Sequence, residues 1–146
     1  MIFYHFTSLN HLPIICKSGF LKFGDIPLKQ TSKYGEDGHG VWLTTTSSAT
    51  PEQHGLKNPS VDKSIVRFKI EIDEKNLQLF KWSDYAKINK VKPKWYKILD
   101  KVGGGLSHTW WLYIGYINIK SPQVEISIKE NGAYISQSIH EILANL

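Results

Sequence analysis

Alternation and helical spacing of apolar residues divide the chain into short elements. Residues 2–6 are apolar and aromatic and predict a buried strand. A short helix follows: Asn10 is placed to cap it, Pro13 falls in the first turn where a missing N–H costs little, and Gly19 closes it after Ile14, Ile15 and Cys16. Residues 22–40 carry Gly24, Pro27, Gly35, Gly38 and Gly40 with few aliphatics. That pattern predicts a long loop, and long loops in compact domains are usually functional or mobile. Residues 41–46, Val-Trp-Leu-Thr-Thr-Thr, predict a strand running into a hydroxyl-rich end, and residues 50–54 a turn or a single helical turn. Over residues 64–72, Val66, Phe68, Ile70 and Ile72 alternate with Arg67, Lys69 and Glu71, as in a strand with one wet face.

The second half continues in the same manner. Residues 83–101 predict one or two helices broken near Pro93. Gly103, Gly104 and Gly105 make a flexible loop, and residues 110–118 a strongly aromatic strand. Segments 123–129 and 133–136 flank Asn131-Gly132, the strongest short hairpin signal in the chain. In the tail, Ile139, Ile142, Leu143 and Leu146 share a helical face, with Ser138 and Glu141 spaced as a capping box. Strand, helix, several strands with inserted helices and a closing helix describe one α+β domain over residues 1–146. Its sheet should be curved and mostly antiparallel, split and flanked by peripheral helices.

Composition fits this reading. The chain has 146 residues, 41% hydrophobic and 21% charged, enough to bury one core. No apolar run approaches the ~18–20 residues of a membrane span, and the N-terminus lacks the layout of a signal peptide. The expectation is a soluble cytoplasmic protein with no membrane partner. The single cysteine, Cys16, allows no internal disulfide and no cysteine-based zinc cluster. The six histidines show neither HExxH nor paired i, i+4 spacing, so no metal is expected.

Charge is unevenly spread. Within residues 75–101 eight lysines face only Asp84 and Asp100, a net of +6, which leaves −1 for the rest of a chain whose total is +5. Trp82, Tyr85, Trp95 and Tyr96 are interleaved with these lysines. Such a mixture meets phosphate backbones and stacks on bases, making DNA or RNA a candidate partner; the plainer reading is a solvated helical hairpin. Of 18 basic residues only Arg67 is an arginine, which suggests use of its planar fork, at a site or as a structural clamp.

Motif searching removes the common chemistries. There is no GxGxxG after a strand, no phosphate loop and no GxSxG elbow. What remains is an ordered set of short motifs: Tyr4-His5-Phe6-Thr7-Ser8, then Leu12-Pro13-Ile14-Ile15, then Ser18-Gly19-Phe20-Leu21. Gly40-Val41-Trp42-Leu43-Thr44-Thr45 follows, and later Trp110-Trp111-Leu112-Tyr113-Ile114 and Gln123-Val124-Glu125. This order resembles the ADP-ribosyltransferase superfamily, which includes NAD-using toxins, DNA-modifying transferases and RNA 2′-phosphotransferases. The first 46 residues carry the resemblance best and residues 110–128 less; residues 75–105 match none of it and form a Lys- and aromatic-rich helical insertion.

The resemblance implies NAD as substrate and transfer of ADP-ribose to a nucleic acid or protein. It implies that His5 bonds a ribose hydroxyl of the adenosine half and that Thr44 or Thr45 contacts the nicotinamide side. Glu125 would support the developing ribosyl cation, Tyr34 would stack as a lid, and Arg67 would pair with the pyrophosphate. Phe6, Thr7 and Trp42 complete the expected NAD-binding set, with His5, Thr45 and Glu125 as the catalytic residues. Two other readings stand beside it. In one, the same fold binds a nucleotide or a protein partner without catalysis, for example as an inhibitor in phage–host conflict. In the other, the chain is a small nucleic-acid-binding module run by residues 75–101.

Overall fold

A computed structural model describes residues 1–21 and 24–146. The N-terminal strand β1 (Ile2–Thr7) leads into helix α1 (Leu12–Ser18). Pro13 lies in the first turn of α1, and Gly19 ends it in the left-handed conformation (φ 81°), its N–H bonding the Ile15 carbonyl at 2.8 Å. Asn10 does not cap this helix: His11 occupies the cap position and makes no side-chain cap bond. The loop expected over 22–40 starts at residues 22 and 23, which lie outside the described residues. It includes a two-residue strand, β2 (Gly24–Asp25), before β3 (His39–Thr44).

Strand β4 (Val66–Glu71) keeps its alternation, with Val66, Phe68 and Ile70 buried and Glu71 exposed. The insertion is not purely helical. It opens with a short strand, β5 (Leu79–Lys81), followed by α2 (Trp82–Ile88) and α3 (Pro93–Val102), which Pro93 starts. A 3-10 turn (Ser107–Thr109) enters β6 (Trp110–Tyr113). The strand expected to reach residue 118 stops at Tyr113. Ile114 donates its N–H to the Gln78 carbonyl, and Gly115 turns the chain at φ 150°. Strands β7 (Val124–Glu130) and β8 (Ala133–Gln137) form the expected hairpin, with Asn131 (φ 51°) and Gly132 (φ 81°) both left-handed as a two-residue type I′ turn needs. Helix α4 (Ile139–Ala144) is capped by the Ser138 hydroxyl, which accepts from the Glu141 N–H. Of its predicted apolar face only Ile142 is fully buried; Leu143 and Leu146 are exposed.

The eight strands form one antiparallel sheet in the order β5-β6-β3-β1-β4-β7-β8, with β2 added to β3. Successive residues of β3 and β6 feed two cores. Val41, Leu43, Trp111 and Tyr113 join Phe3, Phe68, Ile70 and Ile126, covered by Leu12, Ile15 and Cys16 of α1 and Ile142 of α4. Trp42, Trp110 and Leu112 point to the other face, where Trp82, Ala86, Tyr96 and Leu99 of α2 and α3 cover them together with Ile26. The insertion thus supplies the second core.

Candidate functional site

The site arises where the sheet comes apart. Strands β1 and β3 pair at one register position, Tyr4 with Thr44. Beyond it the edge of β3 is taken by β2, through Gly24–Gly40 and Asp25–His39. β1 meanwhile continues along β4 as far as Thr7–Val66. The two halves diverge as a wedge, and the cleft between them has a volume of about 550 Å³. One wall carries His5, Phe6 and Thr7 of β1, His11 at the start of α1, and Lys63 ahead of β4. The facing wall carries Trp42 and Thr44 of β3, Asp25, and Tyr34 at the mouth. His54, Gly103 and Trp110 close one side.

His5 bridges the split. Its Nδ1 lies 2.7 Å from the Trp42 carbonyl oxygen, so the proton sits on Nδ1 and donates, leaving Nε2 as an acceptor. Burial pushes the His5 pKa down, opposed in part by that carbonyl. A neutral imidazole whose free nitrogen accepts suits a hydroxyl partner better than an anion.

His54 is fixed more tightly. The Trp110 indole N–H, which can only donate, points at His54 Nδ1 (2.8 Å), so Nε2 bears the proton and donates to Thr46 Oγ1 (2.9 Å). Thr109 Oγ1 donates to the Leu106 carbonyl (2.7 Å) and therefore accepts from Thr44 Oγ1 (2.8 Å), which in turn accepts from Thr46 Oγ1 (3.1 Å). Every hydrogen in the chain Trp110, His54, Thr46, Thr44, Thr109, Leu106 then has a direction. Protonating His54 would set two donors face to face, and burial also lowers its pKa. The residue is held at a left-handed backbone position (φ 55°), its backbone N–H donating to the Gly103 carbonyl at 3.1 Å.

Six expected site residues therefore line one cleft: His5, Phe6, Thr7, Tyr34, Trp42 and Thr44. Their states differ from expectation in one respect: the Thr44 hydroxyl is committed to the internal chain and is not free to bond nicotinamide. Tyr34 is 79% exposed at the mouth, edge-on to His39 (5.8 Å between centroids).

Three expected residues do not line the cleft. Thr45 is exposed, and its N–H bonds the Thr109 carbonyl. Glu125 lies opposite Lys69 on β7, two strands from β1, hence about 10 Å away across the sheet. It borders a second hollow with Ser121, Pro122 and Glu141. Arg67 donates from Nη1 to the Ser47 carbonyl (2.7 Å) and lies between the rings of Tyr134 (4.5 Å) and Tyr4 (5.2 Å). Its Nη1 alone ties the loop after β3 to the sheet, and Nε is buried without a hydrogen-bond partner, so the arginine acts as a structural clamp through one bond and two ring contacts.

Asp25, among the described residues the one acidic side chain lining the cleft, was missed by sequence reasoning; its Oδ1 accepts the Gly35 N–H (2.9 Å), and its carbonyl accepts the Trp42 indole N–H (2.9 Å). His11, His54, Lys63, Gly103 and Trp110 were also missed.

The insertion's lysines, Lys75, Lys81, Lys87, Lys90, Lys92, Lys94, Lys97 and Lys101, are all exposed. Its aromatics are not bare stacking platforms. Trp82 is fully buried and parallel to Tyr96 (6.0 Å, 2°), Trp95 Nε1 donates to the Pro27 carbonyl (2.7 Å), and Tyr85 meets Phe80 edge-on. They pack the second core and pin the loop after β2. Among the described residues no group of three His, Cys, Asp or Glu side chains is arranged to hold a metal ion, and no helix is long and apolar enough to cross a membrane. Comparison of the chain with protein-family models, curated proteins and solved structures returned no match.

Proposed function

We propose that the cleft at the split of β1 and β3 binds NAD and that the protein transfers its ADP-ribose to a macromolecule. The observation that carries this reading is the convergence of His5, Phe6, Thr7, Tyr34, Trp42 and Thr44 on one wedge-shaped cleft. The reaction asks little covalent chemistry of the protein. The bond between nicotinamide and ribose C1 breaks, nicotinamide leaves with the electron pair, and a nucleophile of the target attacks the cationic sugar and loses its proton. The protein's task is to hold the dinucleotide bent and oppose the developing charge.

His5 Nε2 is the acceptor for a ribose hydroxyl. Tyr34 and Trp42 offer ring faces and edges to the nicotinamide. Asp25, beside them, takes the carboxylate role that Glu125 is too far away to fill, and its negative charge also favours the positively charged ring of NAD. The exposed lysines of α2 and α3 favour an acidic target, DNA or RNA, because α3 itself contributes Leu99 and Val102 to the cleft.

The test is release of nicotinamide from NAD in the presence of a host lysate, with nuclease and protease treatment identifying the labelled target. His5→Ala and Asp25→Asn should each reduce the rate by about 10²–10³-fold, whereas Glu125→Gln should retain it. Loss of activity in Glu125→Gln alone would reject the assignment of Asp25. A second reading, binding without turnover, is favoured by the engagement of Asp25 Oδ1 and the Thr44 hydroxyl within the protein. Calorimetric NAD binding with no nicotinamide released from any target would establish it.

A further inference from the structure

A dinucleotide brings two phosphates, and the cleft needs a cation to meet them. Arg67 is unsuited, held by Ser47, Tyr4 and Tyr134. His5 and His54 are lowered in pKa by burial, and both ring nitrogens of His54 are already used. Among the described residues the one Lys or Arg lining the cleft is Lys63. It lies three residues before Val66, whose partner across the sheet is Thr7 at the end of β1.

Thr7 also anchors His11. The His11 Nδ1 lies 3.3 Å from Thr7 Oγ1 and 3.2 Å from Ser8 Oγ, two hydroxyl contacts that hold the ring at the end of β1. Lys63 differs from Lys129, whose ammonium is consumed by the Ala49 carbonyl and Ser64 Oγ. Among the described residues Lys63 has no such partner. The cleft is thus electrically polar: a lysine cation on the wall of β1 and β4, a carboxylate and aromatic rings on the wall of β2 and β3.

We propose that Lys63 is the phosphate subsite of the cleft, and that ligands enter with phosphate toward Lys63 and base or ring toward Asp25 and Tyr34. The nucleotide identity of the ligand rests on the reading given above; the anion subsite does not. A charge-assisted bond from a partly exposed lysine discriminates by about tenfold.

The experiment titrates ADP, adenosine and inorganic pyrophosphate into the full chain, the Lys63→Gln and Lys63→Arg variants, and Lys57→Gln as an exposed control in the same loop. The wild type should prefer ADP to adenosine. Lys63→Gln should lose about tenfold for ADP and pyrophosphate with adenosine unchanged. Lys63→Arg and Lys57→Gln should keep the preference. Equal loss for ADP and adenosine, an unchanged Lys63→Gln, or no phosphate binding by the wild type would each overturn the subsite. NAD cleavage indifferent to Lys63 would sink the subsite and leave the transferase reading standing. A Lys63-dependent preference for ADP in a protein that never cleaves NAD would do the reverse.

Discussion

At the residue scale the cleft depends on Gly103. A Cβ at this position would lie 2.1 Å from Cζ2 of the Trp110 indole, a rigid ring that cannot bend aside, although the backbone itself (φ −80°) would accept alanine. The substitution Gly103→Ala should therefore act through displacement of Trp110, which also orients His54. The expected cost is about 2–3 kcal/mol, at the upper end of overpacking penalties, read as a lower urea midpoint with quenched or shifted tryptophan fluorescence. Wild-type stability in this variant would mean that Trp110 is not packed against the loop. His5 stands out in the sequence through the ordered motifs that open with Tyr4-His5-Phe6-Thr7-Ser8, not through its isolation in an apolar strand, and it lines the cleft. Arg67 was legible as unusual but not as clamp or ligand, since its role depends on the distant Tyr134. The bond between His54 and Trp110 spans 56 residues and left no periodic or local trace.

At the element scale, helices α2 and α3 combine two roles. Their buried side supplies Trp82, Ala86, Tyr96 and Leu99 to the second core, and their outer side presents solvated lysines. If the target is a nucleic acid, its affinity should fall steeply with salt. Replacing Lys87, Lys90, Lys94 and Lys97 by Gln should flatten the log–log salt slope by roughly 0.7–0.9 for each phosphate that is no longer neutralised, measured by fluorescence anisotropy, with no change in melting temperature. An unaltered slope, or binding insensitive to salt, would remove these helices from target recognition. Their existence and the break at Pro93 could be read from spacing and proline chemistry. β2 and β5 could not: strands of two and three residues have no period of their own and form because β3 and β6 offer free edges.

At the scale of the whole molecule, the α+β class and the antiparallel sheet followed from alternation and from the Asn131-Gly132 turn. Where the sheet divides did not, because divergence after Tyr4–Thr44 depends on β2 occupying the edge that β1 leaves. The same topology explains the fate of the expected site. Residues on β1 and β3 meet by position in the strand order, whereas Glu125, matched by motif alone, is separated from them by β4.

The central claim is that NAD lodges between the two halves of this sheet. Amide hydrogen exchange with and without NAD tests it most directly. Slowed exchange is expected over residues 5–7, 24–35, 41–44 and 54–56, the segments that wall the cleft. Unchanged exchange there, or protection confined to the second hollow over residues 119–141, would contradict it.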